Sequence, residues 1–227
     1  MNTKKTRGLI NEFFRPRLYG VIPWGAPKIV IEPKIGKIKE KLPDYAGTKV
    51  QVTEKLLGNP VMFWEEHRRF RDRLHVCDGH SEIFDKESPV RKLIEPFKKH
   101  LDGRFIYQGV IVGEGMRDNW YGLSSMELYV TDVFTKDRER LSPRMAAGAM
   151  SAAGLKGAPV VCECRLPSLA EQVISLAKGV TALSYDSRPR KGIIVKSLDD
   201  KEGEFVFSFS FQVTNPEYHE KRRGTYV

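Results

Sequence analysis

The feature that most constrains the fold is a strand-like run that leads directly into a lysine and a glycine turn. Thr48–Thr53 alternates apolar and polar side chains as a half-buried β-strand does, and Lys55 and Gly58 follow at once. A second apolar run, Val61–Trp64, leads away from the turn. We interpret the two runs as the arms of a β-hairpin around residues 55–60. A lysine at the end of a buried strand is either an ordinary surface residue or a nucleophile held in a pocket.

The rest of the chain alternates strand-like blocks with short helices. Further strands are predicted at residues 105–113, 126–134, 158–164, 191–197 and 204–214. Helices are predicted from Ser88-Pro89, from Ser142-Pro143 and from Ser168, where a hydroxyl side chain precedes the first turn. Alternate phenylalanines of the last strand indicate sheet core: Phe205, Phe207, Phe209 and Phe211. The sequence therefore predicts an α+β fold built mostly of antiparallel strands, with a basic leader at residues 1–47 and one domain at residues 48–227.

The chain has a formal net charge of +9, and its basic clusters are spread along the sequence. Contact with phosphate backbones is a common reason for such an excess, and solubilising surface charge is the alternative. In an extended segment Arg69, Arg71 and Arg73 share one face, which suits a track of phosphates. We expect a nucleic-acid partner, RNA in preference to DNA, bound through these arginines and through Arg188 and Arg190.

Composition excludes several other classes of protein. No run approaches the roughly 18 consecutive apolar residues of a membrane span, so we expect no membrane partner. Apolar and charged contents of 41% and 30% are typical of a globular rather than a disordered chain. The three cysteines, Cys77, Cys162 and Cys164, contain no CxxC pair, which favours free thiols of a cytoplasmic protein over a metal site.

Five short motifs follow one another in the chain. They read Thr53-Glu54-Lys55-x-x-Gly58, Gln108-Gly109-x-x-x-Gly113-x-Gly115, Leu128-Tyr129-Val130-x-Asp132-Val133, Gly192-Ile193-Ile194-Val195-Lys196 and Ser210-Phe211-x-Val213. In this order and spacing they resemble the adenylation domain of ATP-dependent RNA ligases and, more broadly, the covalent nucleotidyltransferases. The resemblance covers roughly residues 48–220. It implies two antiparallel sheets that flank a nucleotide cleft, with helices at the periphery.

The resemblance also implies a chemistry. In that family a lysine attacks the α-phosphate of ATP, and the AMP then passes to a 5′-phosphate end of the nucleic acid. This role falls on Lys55, and an active enzyme would use ATP and Mg²⁺. A lysine must be neutral to attack, so desolvation or neighbouring positive charge has to lower its pKa. The implied nucleotide contacts are Glu54, Gly58, Gly109, Lys191 and Lys196.

Several positions depart from the family pattern. Leu57 stands where a polar residue is usual, and Val110 stands where the third motif has glutamate. Lys191 replaces the glutamate that opens the fourth motif, and Gln212 replaces a lysine of the fifth. Thr131 stands where an aromatic side chain often stacks on adenine. Loss of one preorganised charge costs on the order of 10²–10³ in rate, and the charge reversal at position 191 would also repel a metal ion.

We therefore predict an RNA ligase-like protein whose catalytic set is degenerate and which acts in nucleic-acid binding or assembly. A protein partner or a second copy of the chain is the next expectation. The alternative is an active ATP-dependent RNA ligase that is adenylylated on Lys55. A third possibility keeps nucleotide binding without transfer.

Overall fold

The computed structural model describes residues 30–66, 72–78, 84–116, 119–198 and 209–218. Within these ranges the strands form two four-stranded antiparallel sheets. The first sheet contains β1 (Lys49–Glu54), β6 (Val160–Arg165), β7 (Gly192–Ser197) and β8 (Ser210–Thr214), in the order β6-β1-β7-β8. The second contains β2 (Asn59–Glu66), β3 (Arg73–Asp78), β4 (Phe105–Gly113) and β5 (Met126–Thr135), in the order β3-β2-β4-β5. The predicted α+β fold with two antiparallel sheets is confirmed.

Short helices pack around the sheets. They are α1 (Leu42–Tyr45), α2 (Pro89–Ile94), α3 (Pro143–Ala152) and α4 (Ala170–Ala177), with 3₁₀ segments at Ile35–Lys37, Lys39–Lys41 and Glu95–His100. The predicted start of α3 is confirmed, because the Ser142 hydroxyl accepts a hydrogen bond from the Met145 backbone N–H at 3.4 Å. Pro143 follows at the first helical position, where its missing N–H has no cost.

The predicted hairpin around residues 55–60 is wrong. β1 pairs with β6 and β7, whereas β2 pairs with β3 and β4, so the two runs lie in different sheets. Proximity in sequence favoured a local pairing, but the apolar face of each strand packs on a different set of helices. Residues 55–58 are therefore a crossing from one sheet to the other, and Lys55 lies at the start of that crossing.

Each sheet buries one face under its own helices. The first sheet packs Val52, Ile193 and Phe211 against Val173 of α4. The second packs Phe63 and other large side chains against α2 and α3. Burying a side chain of this size contributes about 1.5–3 kcal/mol, so the two clusters account for the layered arrangement. The opposite faces of the sheets meet where the Lys196 ammonium of β7 contacts Asp132 of β5 at 2.7 Å.

The predicted core stripe of the last strand is confirmed where the structure describes it. Phe209 and Phe211 are both buried in the cluster of the first sheet, with ring centroids 6.3 Å apart. Phe205 and Phe207 lie outside the described residues.

A β-bulge interrupts the pairing of β4 with β5. Gln108 lies opposite Asp132 and Gly109 lies opposite Val130, so Thr131 is an extra residue. The insertion changes which side chains face the helices, because Val130 and Val133 both enter the cluster under α2 and α3. Asp132 is left on the face toward the first sheet.

Part of the predicted leader packs against the first sheet. Ile38 and Leu42 are buried in its cluster, and the Gly47 backbone N–H donates to the Leu166 carbonyl at 2.9 Å. The domain boundary after residue 47 stays a prediction. Among the helices of the described ranges, none is long and apolar enough to cross a membrane.

Gly58→Ala tests the close approach at the crossing. A Cβ at position 58 would lie 2.1 Å from the Ile111 backbone oxygen, so β2 and β4 would have to separate. We expect the free energy of unfolding to fall by about 1–3 kcal/mol in urea denaturation. Gly36→Ala is the control, since a Cβ there meets nothing within 4 Å. An equal loss in both variants would contradict this account of the crossing.

Candidate functional site

Lys55 lies directly after β1, where its backbone N–H donates to the Gly192 carbonyl at 2.9 Å. Its side chain is half-buried. Burial, and then the charges of Lys191 and Lys34, lower the pKa of Lys55 to about 8. We call Lys34, Lys55 and Lys191 the lysine cluster. The structure thus brings together two predicted site residues, Lys55 and Lys191, with a third lysine that the sequence placed in the leader.

Tyr121 fixes the crossing that follows Lys55. The Leu57 backbone N–H donates to the Tyr121 hydroxyl at 2.6 Å, and Tyr121 is buried with Leu56 and Tyr129. Tyr121 is therefore a core residue. The Trp120 indole N–H donates to the Pro189 carbonyl at 3.1 Å.

Glu54 points away from the lysine cluster. It is 1% exposed, and its Oε2 accepts from the Ala182 backbone N–H at 3.0 Å. Burial raises the pKa of Glu54, although hydrogen bonds from Thr181 and Ala182 and the charge of Arg190 oppose the rise. This predicted nucleotide contact thus holds the loop that follows α4.

Lys196 belongs to a buried network of charges between the sheets. Its ammonium donates to Asp132 Oδ1 at 2.7 Å and to the Thr131 carbonyl. Arg140 Nε lies 2.8 Å from the same Asp132 oxygen, and Arg140 also pairs with Glu32. Burial alone would raise the pKa of Asp132, but the charges of Arg140 and Lys196 outweigh it and lower that pKa. We call Glu32, Asp132, Arg140 and Lys196 the charge network.

Gln108 and Gln212 hold a segment of the chain that precedes β1. The Gln108 side chain accepts from the Val30 N–H at 2.7 Å and donates to the Val30 carbonyl at 3.0 Å. The Gln212 backbone N–H donates to the Pro33 carbonyl at 2.8 Å, and its side-chain amide donates to the Glu32 carbonyl. We call Val30–Lys34 the cleft segment. It connects the charge network to the lysine cluster, since it contains both Glu32 and Lys34.

Those of the remaining predicted residues that the structure describes lie in a loop, at the start of a strand and at the bulge. Arg188 donates to the Trp120 carbonyl at 2.8 Å and to Asp186 at 3.0 Å, and so holds its own loop. Arg190 lies against Gly179. Arg73 is exposed at the start of β3, and Gly109 is buried at the bulge. Arg69 and Arg71 lie outside the described residues.

A cavity of about 490 Å³ opens beside the charge network. Its polar side carries Gln51, Thr53, Asp132 and Lys196, and its apolar side is formed by α3 and by residues 155–160. The volume is within the range of small-molecule sites in proteins. Thr131 and Asp132 both line the cavity. Thr131 is the residue at the position where the family often has an aromatic side chain.

The carboxylates of the site do not form a metal centre. Over the described ranges, no group of three or more histidine, cysteine, aspartate or glutamate side chains is placed to hold a metal ion. Asp132 is already paired with two cations, and Glu54 is directed to the loop after α4. The donor set present therefore does not fit a protein-held divalent cation.

The contacts of Glu32, Lys34 and Arg140 were not predicted from the sequence. None of them lies in a recognisable motif, and Glu32 meets Ser210 across 178 positions of the chain. The one signal available was the departure at Gln212, where an amide side chain stands in place of a lysine of the family pattern.

Comparison with solved structures defines the class of fold. No family model matches the sequence, and no curated protein matches it. Solved structures do match, and they give the chain the nucleotidyltransferase fold of RNA ligases.

The matching structures include several of the RNA ligase of Naegleria gruberi. The ligase with PPi matches at TM-score 0.73 and 21% identity, over 91% of this chain and 62% of that one. A lysine-to-methionine mutant with AMP and Mn gives 0.74 and 22%, over 91% and 61%. A glutamate-to-alanine mutant with ATP and Mn gives 0.73 and 20%, over 91% and 61%. The present chain spans about three-fifths of the length of those ligase chains.

Asp132→Asn tests the charge network. The change leaves Lys196 and Arg140 with one carboxylate between them, and breaking a buried ion pair in this way costs about 3–5 kcal/mol. Because the folded pKa of Asp132 is lowered, the native chain keeps this stabilisation above the ordinary aspartate pKa and loses it as pH falls through the folded value. We expect urea denaturation at pH 7 to show the loss, and a smaller difference between variant and native chain in acid. Asp137→Asn, at an exposed turn, is the control. Equal stability of the two variants would contradict the role given to Asp132.

Lys55 should react with acylating reagents as an amine of pKa about 8. Its labelling rate should rise with pH and reach half its maximum near pH 8, about two units below ordinary lysines. Lys191→Ala removes one of the charges that lower this pKa, so the midpoint should move upward. Lys99→Ala changes an exposed lysine elsewhere and should leave the midpoint of Lys55 labelling unchanged. Peptide mapping after pulse labelling measures the labelling rate of Lys55 in each variant. An unshifted midpoint in Lys191→Ala would count against the lysine cluster.

Proposed function

We propose that this chain binds nucleic acid, RNA in preference to DNA, on an RNA ligase fold that does not support efficient ligation. The observation that supports this proposal is the lysine cluster. Lys34 and Lys191 lie close enough to Lys55 to lower its pKa, so three cationic side chains share one site. Like charges held together are costly, and a phosphate group would relieve that repulsion.

The state of the nearby carboxylates supports binding over transfer. Phosphoryl transfer from ATP relies on divalent cations that neutralise the phosphate oxygens. Glu54 and Asp132 are engaged with the loop after α4 and with the charge network, so neither is directed at the lysine cluster. Of the carboxylates that the structure describes, these two therefore hold other parts of the fold instead of a metal ion beside Lys55.

The structural relatives support RNA and nucleotides as the ligands. They are RNA ligases, and the structures contain PPi, AMP with Mn, or ATP with Mn. The formal charge of +9 adds a favourable, salt-dependent term for any polynucleotide. We place this function in the cytoplasm, and the support is that Cys77, Cys162 and Cys164 are free thiols.

A second candidate function is ATP-dependent RNA ligation through Lys55. The observation that favours it is the pKa of about 8, which leaves about one-tenth of Lys55 neutral at pH 7. In this case ATP and Mg²⁺ are the cofactors, and the lysine Nζ forms a bond to the α-phosphorus while pyrophosphate leaves.

Binding to a labelled single-stranded RNA over a series of salt concentrations tests the proposal. We expect affinity to fall steeply with salt, and the double variant Lys55→Ala/Lys191→Ala to bind more weakly with a salt slope reduced by about 1–2. The control is Lys86→Ala/Lys99→Ala, which removes the same charge from exposed positions near α2. An affinity that barely changes with salt, or equal behaviour of the two double variants, would overturn phosphate contact at the lysine cluster.

A labelling experiment separates the two candidates. The protein is incubated with α-labelled ATP and with Mg²⁺ or Mn²⁺, and then denatured. We expect no retained label. Label that is retained by the native chain and lost in Lys55→Ala would replace the binding proposal with ligation.

A further inference from the structure

The cleft segment lies on the first sheet as an added strand would. Its backbone runs parallel to β8 at a bridge between Lys34 and Gln212, and the Pro33 carbonyl accepts from the Gln212 N–H at 2.8 Å. At its other end, Val30 reaches the second sheet through both hydrogen bonds to Gln108. The segment therefore runs from one sheet to the other beside β8, the last strand in the order of the first sheet.

Side chains of the cleft segment alternate between the protein interior and solvent. Val30 packs beside a buried cluster of the second sheet, and Glu32 is 8% exposed. Ile31, between them, is 80% exposed. The Glu32 carboxylate is held by Arg140 and by the Ser210 hydroxyl, and Arg140 also donates to that hydroxyl at 2.8 Å. This alternation is the pattern of a bound β-strand peptide.

The surface that holds the cleft segment contacts groups that any peptide of matching sequence would also have. Gln108 and Gln212 bind backbone groups, which are the same in every peptide. Specificity comes from an aliphatic side chain at the first position and a carboxylate two residues later. The carboxylate also balances charge, because Arg140 and Lys196 together carry two positive charges and Asp132 supplies one negative charge.

We propose that the edge of β8, with Gln108, Arg140 and Ser210, is a peptide-binding groove that the cleft segment fills in cis. Its ligand is an extended peptide with an aliphatic residue followed, two positions later, by glutamate. A partner protein that presents such a strand takes the place of the cleft segment. Its test uses no nucleic acid, so it succeeds or fails independently of the nucleic-acid contact proposed above.

Covalent attachment makes the cleft segment a strong competitor. A segment tethered by a short linker has an effective concentration on the order of 1 mM. A peptide with an intrinsic Kd of about 10 μM would therefore bind the native chain about 100-fold more weakly than an emptied groove. The native chain should bind such peptides weakly, and a variant with a displaced segment should bind them well.

The variant Glu32→Lys displaces the cleft segment without changing the groove. A lysine at this position faces Arg140 and repels it. The probe is a fluorescent peptide with the sequence of residues 30–37, and its binding to the full-length chain is measured by fluorescence anisotropy. We expect Glu32→Lys to bind the probe at least about tenfold more tightly than the native chain. Glu40→Lys, the same charge change at an exposed residue, should bind like the native chain.

A second probe, in which glutamine replaces the glutamate, should lose at least about tenfold in affinity for Glu32→Lys because Arg140 then pairs with Asp132 but with no carboxylate of the probe. Equal binding of the probe by the native chain and the variant would overturn the proposal. So would equal affinity of the two probes, or no binding by a variant that still unfolds cooperatively. If Glu32→Lys does not unfold cooperatively, Glu32→Gln keeps the side-chain shape, and the same comparisons and the same outcomes apply to it.

Discussion

The contact on which the structure depends is the pairing of Asp132 with Lys196 and Arg140 between the two sheets. Each sheet has its own hydrophobic cluster under its own helices, and those clusters do not by themselves set how the sheets meet. Buried charges are stable only when each has its partner and good geometry. The charge network meets this condition across β5, β7 and the cleft segment, and so it fixes the spacing of the layers.

The lysine cluster is linked to this network through three residues of backbone, Glu32–Lys34. Glu32 is held at the charge network and Lys34 lies beside Lys55, so the position of one carboxylate determines whether a third positive charge reaches the cluster. Gln108 and Gln212 both hold the backbone of the cleft segment. The departure at Gln212 therefore has a structural contact of its own, with the carbonyl of Glu32.

The sequence predicted the architecture well and the contacts between distant segments poorly. Alternating apolar patterns depend on local burial, and they placed the strands and the starts of the helices. The pairing partners of β1 were wrong because a short loop favours a hairpin unless tertiary packing separates its arms. Lys55 was found through its motif, and its lowered pKa could be expected from chemistry alone. Glu32 and Arg140 could not be found, because their roles arise from contacts more than 100 positions apart, which no local pattern records.

The bulge at Thr131 carries a consequence for how such chains can diverge. Its extra residue places Val133 in the helix-side cluster and Asp132 opposite Lys196, and deleting it would exchange the two faces beyond that point. Thr131 gives its carbonyl to Lys196, and its hydroxyl donates to the Gln108 carbonyl at 3.3 Å. A related chain that lacks this extra residue would therefore have a different set of side chains between its two sheets, even if the rest of the strand were unchanged.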